Sequence, residues 1–205
     1  MSLSDRLYTW WIARHCRKVG PGTRFVGANI EIKGRVEIGA RCEIGGNVGM
    51  RTHKGGSIRI GDEVFISDYV LLQVNDTVEI GNGAYLGPYV VLRDTNHTFT
   101  GTDQHWRYTP VDTRPIRIGA NAYIGSSTYV LPGVTVGEGA VIAPGSIVNR
   151  DVGPLEVWAG APAIRVAHRT DPSVTTTLSR YRELAGLFGF GAASPAAPAE
   201  PEPAP

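Results

Sequence analysis

The chemistry open to this sequence depends largely on its five histidines, His15, His53, His97, His105 and His168. His97 is the strongest candidate for a reactive group. It ends the segment 92–97, in which the chain departs from a regular sequence repeat directly after a complete repeat unit, so the backbone that leads to it is well positioned. An imidazole titrates near neutral pH, so it can accept a proton from a hydroxyl group as that group attacks an electrophile. The sequence therefore predicts a general base at His97, with the adjacent Asp94 as a candidate to orient the ring. His105 is expected to be an ordinary surface residue.

The composition excludes several other classes of protein. A net charge of +1 gives no indication of a polyanion-binding surface. The two cysteines, Cys16 and Cys42, lie apart from any Cys/His cluster and are too few for a disulfide framework, so no metal site is predicted. No stretch approaches the roughly 18 apolar residues of a membrane span, and Arg6 and Arg14 interrupt the region where a signal peptide would need an apolar run. A cytoplasmic protein is expected.

Aliphatic residues recur every six positions through most of the chain. They form the series Val26, Ile32, Ile38, Ile44; Ile60, Ile66, Leu72; Ile80, Leu86, Leu92; and Ile118, Ile124, Val130, Val136, Ile142, Val148. A six-residue period cannot keep to one face of an α-helix with 3.6 residues per turn, whereas very short strands separated by corners can use it. Glycine often follows the aliphatic residue, where it would tolerate corner angles that other residues resist. The sequence predicts an all-β parallel solenoid whose aliphatic residues stack coil on coil.

The repeat also indicates where the solenoid begins, ends and is interrupted. We expect an N-terminal helix over 1–20, the solenoid over 21–169, a C-terminal helix over 170–190 and a disordered tail over 191–205. Residues 49–56 and the pair Asn75–Asp76 are expected to form corner loops. A long loop over 93–115, which carries His97, should project from the solenoid wall, and loops of this length are usually functional. The N-terminal helix is expected to cap the first coil, with contact to a membrane surface through 1–18 as the alternative.

The later coils resemble a known family. The segments 116–119, 123–126, 131–134, 137–148 and 159–163 run parallel to the C-terminal signature of the hexapeptide-repeat acyltransferases, and the resemblance covers roughly 26–169. The segment ending in Asn96–His97, with the repeat resuming at Ile116, is similar to the catalytic loop of the galactoside and maltose acetyltransferases. The resemblance implies a left-handed parallel β-helix, and it alone supplies the hand. Departures from the signature at Tyr123, Ala143–Pro144, Asn149–Arg150 and Ile164 leave the phosphate contacts and the acyl chain open.

The resemblance also implies a function and a set of site residues. It implies direct transfer of an acyl group, with acetyl expected, from acyl-CoA to a sugar or polysaccharide-precursor hydroxyl, with His97 as general base and no metal. The coenzyme A channel would be lined by Gly125, Ser126, Ala143, Pro144, Asn149, Arg150 and Arg165. Gly125 or Ser126 would offer a backbone N–H to the thioester oxyanion. The acceptor would contact Asn75, Asp76, Arg93 and Asn96.

Other functions remain open on the sequence alone. N-acylation of an amino sugar nucleotide is the alternative within the same chemistry, and serine acetylation fits less well because a long N-terminal helical region is absent. A γ-class carbonic anhydrase would need three histidine ligands, whereas His97 and His105 lack a third partner on a regular coil. A non-catalytic solenoid would not need the long loop.

The residues just before each aliphatic position predict a homotrimer. They should point outward, and every third repeat shares a face. One face collects Arg59, Glu79, Arg117 and Thr135; the second collects Phe65, Tyr85, Tyr123 and Val141; the third collects Leu71, Val91, Tyr129 and Ile147. Two long apolar faces on one prism favour burial against neighbouring copies, which a threefold ring would provide. Coverage of these faces by the chain's own termini is the alternative.

Overall fold

A computed structural model describes residues 3–99, 105 and 108–172, with side chains from Leu7 onward. The predicted C-terminal helix and tail lie outside these residues apart from 170–172, so they stay predictions. Among the described residues, no helix has the length and apolar character needed to cross a bilayer.

The described chain consists of one helix followed by short strands. The helix α1 spans Leu3–Ala13. The strands are β1 Lys18–Val19, β2 Arg24–Phe25, β3 Glu31–Lys33, β4 Arg35–Ile38, β5 Glu43–Ile44, β6 Gly49–Thr52, β7 Ser57–Ile60, β8 Phe65–Ile66, β9 Leu71–Val74, β10 Thr77–Ile80, β11 Tyr85–Leu86, β12 Val91–Arg93, β13 Thr95–His97, β14 Val111–Thr113, β15 Ile116–Ile118, β16 Tyr123–Ile124, β17 Tyr129–Val130, β18 Thr135–Val136, β19 Val141–Ile142, β20 Ile147–Val148, β21 Glu156–Gly160 and β22 Ala163–His168.

These strands build a parallel β-solenoid, consistent with the left-handed β-helix of hexapeptide repeats. Sheet 1 has the order β1-β4-β7-β10-β15-β18, sheet 2 the order β2-β5-β8-β11-β16-β19-β21-β22, and sheet 3 the order β20-β17-β12-β9-β6-β3. The chain passes from sheet 1 to sheet 2 to sheet 3 and back in every coil, so the prism has three corners. Corner 2–3 lies between sheets 2 and 3, and at corner 3–1 each coil returns to sheet 1.

The aliphatic column forms the core, as the six-residue period predicts. Ile44, Ile66, Leu86, Ile124 and Ile142 stack along sheet 2 and are all fully buried. Full burial of one such side chain stabilises a fold by roughly 1.5–3 kcal/mol. The repeat therefore stabilises each coil through contacts with the coils above and below it.

The glycines that follow the aliphatic residues are required for a reason other than the expected corner angles. At Gly81 a Cβ atom would lie 2.5 Å from the backbone nitrogen of Ala120 on the next coil, so the close approach of coils excludes a side chain there. Left-handed backbone angles occur two residues later, as at Gly83 (φ 68°). The glycine of each repeat is thus required by coil spacing, and the turn itself is made further along.

The first two coils differ from the predicted register at two points. Val26 is 54% exposed, while Phe25 is 1% exposed and pairs with Ile44, so Phe25 holds the inward position. Met50 is fully buried and pairs with both Ile32 and Leu72, which makes Gly49–Thr52 a regular strand and leaves only 53–56 as the expected corner loop.

The N-terminal helix is shorter than expected and does cap the solenoid. It ends at Ala13, and Lys18–Val19 already pairs with β4 as the first strand of sheet 1. Ile12 is buried in the core, and the backbone N–H of Phe25 donates to the Thr9 hydroxyl at 3.3 Å. Trp10 and Trp11 remain more than half exposed, so membrane contact through this helix stays a prediction.

The outward rows follow the predicted pattern. On sheet 1, Glu79 forms ion pairs with Arg59 and Arg117 on the coils to either side. On sheet 2, the rings of Phe65, Tyr85 and Tyr123 stack face to face with centroids 4.8 Å and 5.1 Å apart. The prism therefore has one polar face and two apolar ones over its later coils.

Candidate active site

The segment that carries His97 is a β-hairpin at its base. β13 pairs antiparallel with β14, so that Thr95 lies opposite Thr113 and His97 opposite Val111. The amide of Arg114 donates to the carbonyl of Asp94 at 2.9 Å, which ties the end of the hairpin back to its start. His97 is therefore held by a two-stranded ladder that leaves corner 3–1 of the fourth coil. The long loop of 93–115 was predicted; its ordered base was not.

The ring of His97 has a defined partner. Its Nδ1 lies 2.9 Å from the Thr109 hydroxyl oxygen, on the opposite arm of the hairpin, and both residues are half-buried. In the tautomer protonated at Nδ1, this nitrogen donates to Thr109 and Nε2 carries the free lone pair. Among the described residues no hydrogen bond to Nε2 occurs, so this nitrogen can accept a proton from a bound molecule. Sequence reasoning missed Thr109, which lies twelve residues away along the chain.

Asp94 has a structural role and does not orient His97. Its carboxylate is fully buried and accepts the backbone N–H groups of Asn75, at 2.9 Å, and Asp76, at 2.7 Å. Burial raises the pKa of Asp94 above its usual value, and the amides of Asn75 and Asp76 oppose that rise. The carboxylate of Asp94 thus holds the corner formed by Asn75 and Asp76, which lies beneath the hairpin. Thr109 contacts the ring in the place where Asp94 was expected.

Corner 2–3 contains a backbone N–H without a partner. The amide of Gly125 donates to the Ile142 carbonyl at 2.8 Å, within the ladder between coils, so Gly125 is unsuited to the oxyanion role proposed for it. The next residue, Ser126, has no hydrogen bond from its N–H in the described part of the chain. The equivalent positions on both neighbouring coils are Pro88 and Pro144, which have no N–H at all. Ser126 is therefore the better candidate for binding an oxyanion.

The other predicted coenzyme residues divide between buried and exposed positions. Ala143 is buried, and its carbonyl accepts the hydroxyls of Ser146 and Thr128, so it can only shape the wall; Pro144 is exposed beside it. Asn149 and Arg150 are exposed at corner 3–1, and Arg150 Nε lies 3.5 Å from Asn149 Oδ1.

Arg165 is engaged within the fold. It pairs with Glu156 at 3.2 Å. The Trp158 indole N–H, the Gly153 amide and Arg165 all favour the ionised carboxylate, and together they lower the pKa of Glu156. Arg165 is thus less available to a phosphate than Arg150.

A single chain gathers these groups at two different corners. His97 leaves corner 3–1 of the fourth coil, and Asn149 and Arg150 lie at the same corner two coils further on. Ser126 and Pro144 lie at corner 2–3, on the far side of sheet 3. One copy of the chain therefore does not place the candidate base beside the candidate oxyanion donor.

The predicted acceptor residues lie next to the hairpin. Asn75 and Asp76 form the corner that Asp94 holds, Asn96 is exposed on β13, and Arg93 ends β12. No group of three or more His, Cys, Asp or Glu side chains within 3–99, 105 and 108–172 could hold a metal ion.

Two protein-family models match the repeats. The profile of the bacterial transferase hexapeptide, in six repeats, matches residues 115–150. The hexapeptide repeat of succinyl-transferase matches residues 35–67. Residues 35–67 and 115–150 of the chain are therefore hexapeptide repeats. The matched regions cover both the early coils and the coils that carry Ser126 and Pro144.

Among curated relatives of this protein is galactoside O-acetyltransferase of Escherichia coli, which is 38% identical over 109 residues. That alignment covers 53% of this chain and 52% of the relative. Three further relatives are covered over 64%, 41% and 61% of their own lengths. The chain thus spans about two-fifths to two-thirds of the length of these four curated relatives.

Solved structures share the fold at low sequence identity. An N-acyltransferase from Bacillus cereus, in complex with dTDP and 3-hydroxybutyryl-CoA, aligns with a TM-score of 0.68 at 18% identity, over 88% of this chain and 94% of that chain. A hexapeptide-repeat acetyltransferase from Vibrio cholerae, complexed with acetyl coenzyme A, aligns with a TM-score of 0.55 at 24% identity, over 83% and 81% of the two chains. At these identities the likeness shows the fold alone.

Proposed function

We propose that this protein transfers an acyl group, acetyl in the first instance, from acyl-CoA to a hydroxyl group of a sugar-like acceptor. The observation that carries the proposal is His97, held on an ordered hairpin with Nδ1 on Thr109 and Nε2 free. The relationship to an O-acetyltransferase over 109 residues supports the reaction class.

The residues of the chain suit the two requirements of direct acyl transfer. As the acceptor oxygen bonds to the thioester carbon, Nε2 of His97 takes the hydroxyl proton, and the Thr109 hydroxyl stabilises the imidazolium through Nδ1. The N–H of Ser126 donates to the carbonyl oxygen as that oxygen gains negative charge. When the carbon–sulfur bond breaks, the imidazolium returns the proton to the leaving thiolate. The products are the acylated acceptor and free coenzyme A.

The separation of the two corners favours a site shared between copies, as part of the proposed homotrimer. The apolar rows on sheets 2 and 3 support burial of these faces: Tyr123 is 38% and Ile147 42% exposed in the single chain. The described terminal segments leave these rows uncovered, because α1 packs at the first coil and β22 extends the edge of sheet 2. In a ring, the His97 hairpin of one copy would reach corner 2–3 of the next.

A matched panel of acceptors tests the proposal. Purified protein is incubated with acetyl-CoA and either galactose or galactosamine, which differ at one position by a hydroxyl and an amine, and release of free coenzyme A is followed together with product mass. Acceptor-dependent release with an ester product supports the proposal. Exclusive amide formation would assign the protein to N-acylation, and the absence of acceptor-dependent release from a wide sugar panel would contradict acyl transfer.

A further inference from the structure

One cationic group beside the hairpin lacks any partner in the described structure. The Nε atom of Arg93 is buried and makes no hydrogen bond. It is the only buried side-chain nitrogen or oxygen in this condition among the described residues. A buried donor without a partner is unfavourable, and more so when it is part of a charged group, so its persistence calls for an explanation.

The acidic side chains around Arg93 are already engaged. Asp94 accepts the amides of Asn75 and Asp76. Asp112, on the facing arm of the hairpin, pairs with Arg114 at 3.0 Å. On sheet 3 the direct neighbour of Arg93 is the neutral Gln73. Within 3–99, 105 and 108–172, no carboxylate therefore forms an ion pair with Arg93.

The other arginine on this row has a complete set of partners for its Nε and Nη2 donors. Arg51 lies one coil beyond Gln73 in the same outward position, and both its Nε and Nη2 donate to Glu31. Arg93 presents the same group on the same face without the carboxylate. A guanidinium offers parallel donors that fit a carboxylate or a phosphate, so its missing partner is best matched by an anion of that shape.

The position of Arg93 relates this anion to the reaction. His97 lies four positions after Arg93, so their Cα atoms are at most about 14 Å apart even in a fully extended chain. An anionic group bound at Arg93 and a hydroxyl at His97 Nε2 can thus belong to one small acceptor. Asn96, exposed on the strand between them, leaves the path open to solvent.

We propose that the acceptor carries an anionic group, a carboxylate or a phosphate, and that Arg93 is the specificity-determining residue that binds it. This inference rests on the proposed acyl transfer and names the class of its acceptor: sugar acids or sugar phosphates. Neutral sugars would lack the group that completes the site.

The test uses three acceptors with one ring: galactose, galacturonate and galactose 1-phosphate. With the full-length protein and acetyl-CoA, we expect kcat/KM for one of the two anionic acceptors to exceed that for galactose at least tenfold. Galacturonate and galactose 1-phosphate separate the carboxylate from the phosphate source. Arg93→Gln should lower kcat/KM for the preferred anionic acceptor about 10- to 100-fold, mainly through KM, so that the preference for that acceptor over galactose falls towards one. Arg93→Lys should keep part of the preference as a point charge. Arg59→Gln, on the polar row of sheet 1, is the matched control and should change nothing.

Several results would overturn the inference while acyl transfer stands. The first is a wild-type protein that uses galactose as well as it uses the anionic acceptors, and the second is a preference for the anionic acceptor that survives Arg93→Gln. The third is loss of assembly in Arg93→Gln without a change in acceptor preference, which would show that the Arg93 guanidinium binds a neighbouring copy. If no acceptor in this set is acylated, calorimetric binding of galacturonate and galactose 1-phosphate to the wild type and to Arg93→Gln decides instead. Binding of either that the variant loses supports the inference; equal or absent binding ends it.

Discussion

The contact between Thr109 and His97 leads to a quantitative prediction. Thr109→Val replaces the hydroxyl by a methyl group of nearly the same size, so it removes the 2.9 Å hydrogen bond to Nδ1 without opening a cavity. During transfer the ring becomes an imidazolium, and a hydrogen bond to a charged group contributes about 1.5–3 kcal/mol. Because about 1.4 kcal/mol corresponds to a factor of ten, kcat should fall roughly 10- to 100-fold.

The assay separates positioning from structural damage. Coenzyme A release is measured over a range of acceptor and acetyl-CoA concentrations, alongside the thermal unfolding midpoint of each variant. We expect Thr109→Val to lower kcat with little change in either KM or the midpoint, and Thr109→Ser, which keeps the hydroxyl, to recover most of the activity. Wild-type kcat in Thr109→Val, or a Thr109→Ser variant as slow as the valine variant at unchanged stability, would refute the assigned role of this contact.

The remaining predictions concern the oxyanion donor, the shared site, the thiols and the apolar faces. Ser126→Pro removes the backbone N–H at a corner where both neighbouring coils already carry proline, so the variant should fold normally. Its kcat should fall roughly 10²- to 10³-fold, while Ser126→Ala stays near wild type. Equal activity of the two variants would exclude the Ser126 N–H as the oxyanion donor. Co-expression of His97→Ala and Ser126→Pro chains in equal amounts should restore about one quarter of wild-type activity, because a quarter of random interfaces pair the two intact groups, whereas a site contained in one chain predicts no recovery. Burial raises the pKa of Cys16 to about 11, so only about a thousandth of it is thiolate at pH 8. Iodoacetamide should therefore label Cys16 slowly in the native protein and rapidly in urea. Fast native labelling would contradict the raised pKa, and a trapped acyl-cysteine would contradict direct transfer. Tyr129→Glu, on the outward row of sheet 3, should lower both the solution mass and the activity of a trimer, and a monomeric wild type at micromolar concentration would exclude the trimer.

The architecture was accessible from the sequence because burial repeats with the period of the fold. Positions such as Leu86 and Ile124 must be apolar in every coil, so hydrophobicity alone gives the solenoid. The errors arose where a corner gains a residue: Phe25, not Val26, points inward, and the aliphatic pattern does not record corner length. Met50 was overlooked because the column had been defined by branched aliphatic residues alone.

The site was less accessible for a different reason. His97 could be singled out from its place after a repeat, but its partner Thr109 is brought close only by hairpin pairing across a non-repetitive segment. The choice of Ser126 over Gly125 depends on which amide the ladder between coils consumes, and no residue type encodes that. Asp94 was given the wrong role because sequence proximity to His97 does not reveal that its carboxylate points into the corner.

The central claim, that His97 is the general base of an acyl transfer, is tested most directly by the turnover of His97→Ala. Steady-state release of coenzyme A is measured at saturating acetyl-CoA and acceptor, with circular dichroism and solution mass to confirm the fold and assembly. Loss of the proton-accepting nitrogen should lower kcat by about 10²- to 10⁴-fold while the fold and the KM for acetyl-CoA stay near wild type. A correctly folded His97→Ala protein with near-wild-type kcat would contradict the account.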